Sequence, residues 1–223
     1  GKTWRKVRSM PTVHGVNASP FVRKGRVALA EKGIAYDLIP VMPMGQTQEF
    51  LAISPMGKIP VYQDGDFTLP DSSCIIAYLE KTSPEPPLYP GDAHAFGKAL
   101  FYEEYADTRL AEVLGPPFTQ RVVTVKIMKG EPDQAVIDEA LANTPPVLDY
   151  LESAIGDQEF LAGGRLSVAD IAVATMFVNW GHAGETVDAR RWPKLAAYID
   201  RIHARPSFKA VIEEEQAQLR AMG

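Results

Sequence analysis

Two helix starts that carry hydroxyls, and one strand start broken by proline, hold the chemical possibilities of this chain. Ser19 precedes Pro20 at the head of one apolar-periodic run, Asp71-Ser72 heads another, and Ser54-Pro55-Met56-Gly57-Lys58-Ile59-Pro60-Val61 combines a turn, a strand and a proline. Proline cannot donate to a sheet ladder, so Pro60 belongs at a strand start or edge, where an X-Pro bond in a tight turn can be cis. A cis Ile59-Pro60 bond turns the Ile59 N–H and C=O outward, a docking edge for an extended peptide. A trans proline in an ordinary edge strand is the alternative when Pro60 is taken alone.

The other reactive residue types form no set. His14, His94, His182 and His203 are scattered, and no Ser/His/Asp combination or pair of catalytic carboxylates presents itself. The single cysteine, Cys74, excludes an intramolecular disulfide and, with no His cluster near it, argues against a zinc site; no metal is expected. Within Ser73-Cys74-Ile75-Ile76 it reads as a buried small hydrophobe, not a reactive thiol.

Local patterns place these residues. Thr12-Val13-His14-Gly15-Val16 is strand-like and ends at Asn17-Ala18-Ser19-Pro20. From Phe21 to Lys32 apolar residues recur among Arg23, Lys24 and Arg26. Ser19 suits the N-cap, Pro20 the first helical position and Gly33 the C-terminal turn. Residues 34–41 read as a second strand and 48–53 as one or two helical turns. Strand, helix, strand requires a right-handed crossover and a parallel pair, whereas 59–62 and 67–69 flank Asp64-Gly65-Asp66 as an antiparallel hairpin. A helix over 71–81 completes the order β-α-β-α-β-β-α.

Residues 83–91 are proline-rich and break all periodicity, marking a domain boundary. Beyond them only helical patterns remain, over 93–114, 134–155, 168–180, 193–204 and 207–222. Ser167 and Asp170 have the N-cap to N3 spacing of a capping box ahead of a nearly all-apolar helix, a structural role.

The length of 223 residues allows one large domain or two small ones, and 46% hydrophobic with 23% charged residues is an ordinary globular composition. A net charge of −5 gives no basic surface for nucleic acid. No apolar run approaches a membrane span and the N-terminus lacks the apolar core of a secretory signal, so the expected compartment is the cytoplasm. Lys2, Arg5, Lys6 and Arg8 around Trp4 and Val7 read as a short solvated extension, with a basic arm as the alternative.

The run Ser54-Pro55-Met56-Gly57-Lys58-Ile59-Pro60-Val61, then Asp64-Gly65-Asp66-Phe67, then Asp71-Ser72-Ser73-Cys74-Ile75-Ile76-Ala77-Tyr78-Leu79, resembles the glutathione-binding half of the glutathione S-transferase superfamily. That family carries (Asn/Ser)-Pro-x-Gly-x-(Ile/Val)-Pro and (Glu/Asp)-Ser-x-x-Ile-x-x-Tyr-Leu at this separation. Ser167-Val168-Ala169-Asp170 after Gly163-Gly164 is similar to the capping box of its helical domain. The resemblance implies an α/β thioredoxin-like domain over 10–88 followed by an all-helical bundle over 93–223. It also implies a cytoplasmic homodimer and a detoxifying transferase with glutathione as co-substrate.

The same resemblance assigns roles. The cysteinyl backbone of glutathione would lie along Ile59 beside Pro60, the γ-glutamyl end at Asp71 and Ser72, and the glycyl carboxylate at Lys58. A free thiol, with a pKa of about 8.5, is mostly protonated at neutral pH, so a hydrogen bond and a helix N-terminus are needed to favour thiolate. Ser19 occupies the activator position, with Asn17 as runner-up; an N-cap role alone is the bland reading of Ser19. Members with cysteine there form mixed disulfides, which Ser19 cannot. Phe21, Tyr102, Tyr105 and Arg109 are candidates for the pocket of a small, largely apolar electrophile, although aromatic residues at helical spacing also serve as core or dimer contacts. Isomerisation, dehalogenation and a non-catalytic binding role are the alternatives to conjugation.

Overall fold

A computed structural model describes residues 10–223, which divide after Glu85 into two units. The basic residues Lys2, Arg5, Lys6 and Arg8 lie outside the described residues. The first unit runs β1 (Thr12–Gly15), α1 (Pro20–Glu31), β2 (Asp37–Pro40), α2 (Gln48–Ile53), β3 (Val61–Asp64), β4 (Phe67–Pro70) and α3 (Ser72–Thr82). The sheet order is β2-β1-β3-β4. β1 pairs parallel with β2, Thr12 opposite Asp37, and antiparallel with β3, Val13 opposite Tyr62; β3 and β4 form a hairpin with Asp64 opposite Phe67. This is the thioredoxin-like order expected from the alternation of patterns. Val13, Val22, Leu29, Phe50, Ile59, Val61, Tyr62, Ile75 and Leu79 form its core.

Glycine brings α1 close to the sheet. A Cβ on Gly15, the last residue of β1, would lie 2.5 Å from Val22 Cγ2 in the first turns of α1, so only a residue without one permits this approach. Two strands start later than their sequence patterns. β2 starts at Asp37 because the Ile34 N–H is already bonded to the Leu29 carbonyl, closing α1 through Gly33 at φ 68°. β3 starts at Val61 because Pro60 has no N–H to give to a ladder.

Cys74 corrects an expectation: it is exposed. α3 buries Ser72, Ile75, Ile76 and Leu79, a helical stripe that leaves position 74 on the outer side.

The second unit contains α4 (Ala93–Tyr105), α5 (Ala111–Phe118), α6 (Gln134–Ile155), α7 (Val168–His182), α8 (Pro193–His203) and α9 (Pro206–Ala221). The first helical pattern, expected to stop at 114, runs on. π-helical turns at Ala106–Leu110 and Thr119–Ile127 flank α5, and the path passes through Pro116 and Pro117. The wider turns bond five residues back, Ala111 N–H to the Ala106 carbonyl and Met128 N–H to the Val123 carbonyl, while Thr119 N–H, just after the prolines, reaches the Gly115 and Pro116 carbonyls. Every residue of α7 from Val168 to Trp180 is buried. The capping box is present in full, with both reciprocal bonds between Ser167 and Asp170. Among the described residues no helix is long and apolar enough to cross a membrane.

Candidate functional site

Ser19 caps α1. Its backbone is extended at φ −75° and ψ 124°, its Oγ accepts the Val22 amide hydrogen at 3.3 Å, and Pro20 fills the first helical position. A serine hydroxyl has one donor and two acceptor sites, so capping occupies an acceptor and leaves the O–H proton to donate. Cap and donor, the two roles offered by the sequence, are therefore compatible in one side chain.

The turn ahead of Ser19 is held from α1. Asn17 Oδ1 accepts a hydrogen bond from Arg26 Nη1, and Ala18 between them stands at φ 70°, a left-handed conformation that non-glycine residues seldom adopt. Arg26 Nε donates to Tyr36 Oη at 2.7 Å, and the guanidinium lies 5.8 Å from the centre of the Tyr36 ring. The runner-up, Asn17, thus has its carbonyl oxygen engaged.

Around the second feature, the Ile59–Pro60 bond is cis and the ladder to β1 begins only at Val61, opposite His14. Ile59 therefore lies just ahead of the paired register, with its side chain in the core. The approach to it is braced twice. Buried Ser54 donates its hydroxyl to the Lys58 carbonyl at 2.7 Å, and Gln46 Nε2 donates to the Gly57 carbonyl. Gly57 sits at φ 67°, and a Cβ there would meet Gln46 Oε1 at 2.7 Å. The Lys58 residue is exposed.

Asp71 caps α3, its Oδ2 accepting the Cys74 amide hydrogen at 3.0 Å, and its backbone stands at φ 79° and ψ 124°. Non-glycine residues seldom adopt a positive φ. Ser72, the first helical residue, is buried. A fully buried Lys24 on α1 donates to Ser73 Oγ at 2.9 Å, so the two helix starts are tied together. The first unit thereby gathers Ser19, Ile59, Pro60, Asp71 and Ser72 on elements that share one sheet and one core. Phe21, half-buried, follows Pro20 on α1.

The remaining candidates belong to the second unit. Tyr102 is buried and Tyr105 half-buried, and Tyr105 packs at 4.9 Å from the Tyr150 ring. Burial, then the neighbouring Tyr150, pushes both phenols above their ordinary range, with Arg109 opposing at Tyr105. Arg109 is exposed and pairs with Glu112 at 3.4 Å. Sequence reasoning gave Lys24, Arg26, Gln46 and Ser54 no role of their own at the site. Buried charge at Lys24 and Arg26 is invisible to hydropathy, which assigns charged helix positions to water.

Glutathione S-transferase family patterns match this chain in both units, the N-terminal domain over residues 13–87 and the C-terminal domain over residues 134–201. Glutathione S-transferase 4 of Zea mays is 31% identical over 211 residues, which cover 90% of this chain and 91% of the maize protein. The chain belongs to the glutathione S-transferase superfamily. Among solved structures of that superfamily, a glutathione S-transferase from Rhodospirillum rubrum superposes with a TM-score of 0.84 at 31% identity, covering 91% of each chain. A theta class glutathione S-transferase from the citrus canker pathogen Xanthomonas axonopodis pv. citri, solved with glutathione bound, gives 0.79 at 28% identity over 91% of this chain and 96% of the other. As a glutathione S-transferase fold, the chain carries its family's mixed four-stranded sheet with flanking helices ahead of a helical domain.

Proposed function

We propose that this protein is a cytoplasmic, homodimeric transferase that conjugates the thiolate of glutathione to small, largely apolar electrophiles, with a thioredoxin-like domain over 10–88 and a helical domain over 93–223. Ser19 donates its hydroxyl hydrogen to the sulfur, and the positive end of α1 adds to the preference for thiolate. The Ile59 backbone takes the cysteinyl segment as an added strand would, Asp71 and Ser72 at the start of α3 take the γ-glutamyl end, and Lys58 takes the glycyl carboxylate. Tyr102, Tyr105 and Arg109 of the helical domain are the candidates for contact with the electrophile. The thiol proton leaves to solvent, the sulfur lone pair forms the new S–C bond, and the electrophile's leaving group departs with its electron pair.

The observation that carries this reading is the bond from Val22 N–H to Ser19 Oγ at 3.3 Å. It fixes the hydroxyl at the helix start while leaving its proton for an acceptor. The exposed apolar residues Phe96, Leu100 and Phe101 on α4 support a subunit contact. Calorimetric titration with glutathione, followed by ultraviolet titration of the bound thiol, tests the assignment. Saturable binding and a thiol pKa below its free value are expected, and Ser19→Ala returns the pKa toward about 8.5. Absence of binding, or an unmoved thiol in Ser19→Ala, removes the assignment.

A further inference from the structure

Ser19 presents its hydroxyl at the start of α1 directly after a tight turn, and a side chain of the same helix bonds back to that turn. Arg26 lies two turns into α1 and is 9% exposed. One arm of its fork, Nη1, reaches back to Asn17 Oδ1; Nε is fixed on Tyr36 Oη at 2.7 Å, with the guanidinium over the same ring. Between Asn17 and Ser19 stands Ala18 at φ 70°, a conformation that an alanine keeps only when its surroundings impose it. A planar, fixed-geometry donor anchored at its base by a phenol suits that task, and a flexible ammonium would not.

We infer that Arg26 is a positioning residue for the transferase reaction: by pinning Asn17 it keeps the Ala18-Ser19 turn in the conformation that caps α1 and presents the Ser19 proton. This rests on the role of Ser19 proposed above. Arg26 acts through the turn and touches neither sulfur nor electrophile. Asn17, the alternative thiol donor by sequence, is on this account the handle by which the turn is held.

Two readouts separate this inference from the assignment of Ser19. Backbone amide exchange, measured by NMR on the ligand-free protein, reports the turn without glutathione. In Arg26→Met the Val22 amide, whose hydrogen goes to Ser19 Oγ, is expected to exchange roughly tenfold faster, while amides of β3 keep their wild-type rates. Ultraviolet titration of bound glutathione then reports the reaction. The thiol pKa is expected to rise by about one unit in Arg26→Met, with kcat at neutral pH falling in proportion and KM little changed.

Asn17→Ala breaks the same bond from the other end, and serves where Arg26→Met does not fold. The double variant is expected to be no worse than either single one. Unchanged Val22 exchange, an unmoved thiol pKa beside an intact wild-type thiolate, or additive effects of the two substitutions each overturn the inference. A wild-type protein with no bound thiolate sinks the role of Ser19, and with it the link to catalysis; the exchange arm alone then decides whether Arg26 holds the turn.

Discussion

The Lys24 ammonium donates to Ser73 Oγ at 2.9 Å and so joins the second turn of α1 to the first turn of α3. A tripeptide gripped by its sulfur at one helix start and by its γ-glutamyl end at the other needs a fixed spacing between them. Ser73→Ala removes the acceptor without disturbing the cap at Asp71. Affinity for glutathione is expected to weaken about fivefold, close to 1 kcal/mol, while stability to urea changes by no more than about 1 kcal/mol. Calorimetry and urea unfolding on the same preparation check this, and unaltered affinity would show that the link is only packing.

Gly57 offers a test of the peptide-docking edge. Its φ of 67° strains any side chain, and a Cβ would lie 2.7 Å from Gln46 Oε1. The end of a flexible side chain can move, but Gln46 also holds the Gly57 carbonyl, so the brace ahead of Lys58 and Ile59 is expected to loosen. Gly57→Ala is expected to cost about 1–2 kcal/mol in stability and to raise the glutathione KM more than it lowers kcat. Steady-state kinetics over a range of glutathione concentrations reads the split.

Helix starts were legible because caps act within three residues. Ser19, Asp71 and the Ser167–Asp170 pair each satisfy amides close by in the chain, and Gly33 supplies a conformation that alanine resists. What lies across the chain was not. Lys24 and Ser73 are 49 residues apart, and nothing in either local pattern connects them. Arg23 and Lys24 are 1% and 0% exposed, a burial that hydropathy does not register because charge in a helix defaults to water. Cys74 was misplaced for the converse reason: an apolar neighbourhood in sequence does not say which side of α3 meets the core. The helical pattern over 93–114 stopped short of Pro116-Pro117, yet the chain carries both prolines inside α5, between π-helical turns.

Alkaline stability should report Tyr62. Burial, followed by the charge of Asp64 and by Tyr78, raises this phenol from 10.0 to about 12. The folded chain therefore keeps a proton that the unfolded chain has already lost. Stability from this group is complete below pH 10 and drains away as pH rises toward 12. Urea midpoints measured across that window are expected to fall less steeply in Tyr62→Phe than in the wild type. Because Tyr102, Tyr105 and Tyr198 are also raised, the difference between the two slopes carries the information, not the wild-type slope itself. Identical slopes would mean that Tyr62 ionises as readily folded as unfolded.

The helical unit turns on Asp170, which receives three hydrogen bonds: from Tyr198 Oη at 2.5 Å and the Leu161 amide at 3.0 Å on Oδ1, and from the Ser167 amide at 2.9 Å on Oδ2. Burial pushes its carboxyl above the ordinary range, while these donors and Arg205 pull it down. Because burial prevails, the group's contribution is fullest in acid and is lost as pH rises through its raised pKa. Tyr198→Phe removes one donor that favours the ionised form and is expected to cost about 1.5–3 kcal/mol near neutral pH. The deficit should shrink on mild acidification, where a protonated carboxyl depends less on that donor. Asp170→Ala strands all three donors in an apolar interior and is expected to cost about 4 kcal/mol, since water cannot reach them as a substitute. Urea unfolding at neutral and mildly acid pH separates the two effects. A Tyr198→Phe deficit that grows in acid would mean the hydroxyl serves the protonated carboxyl instead.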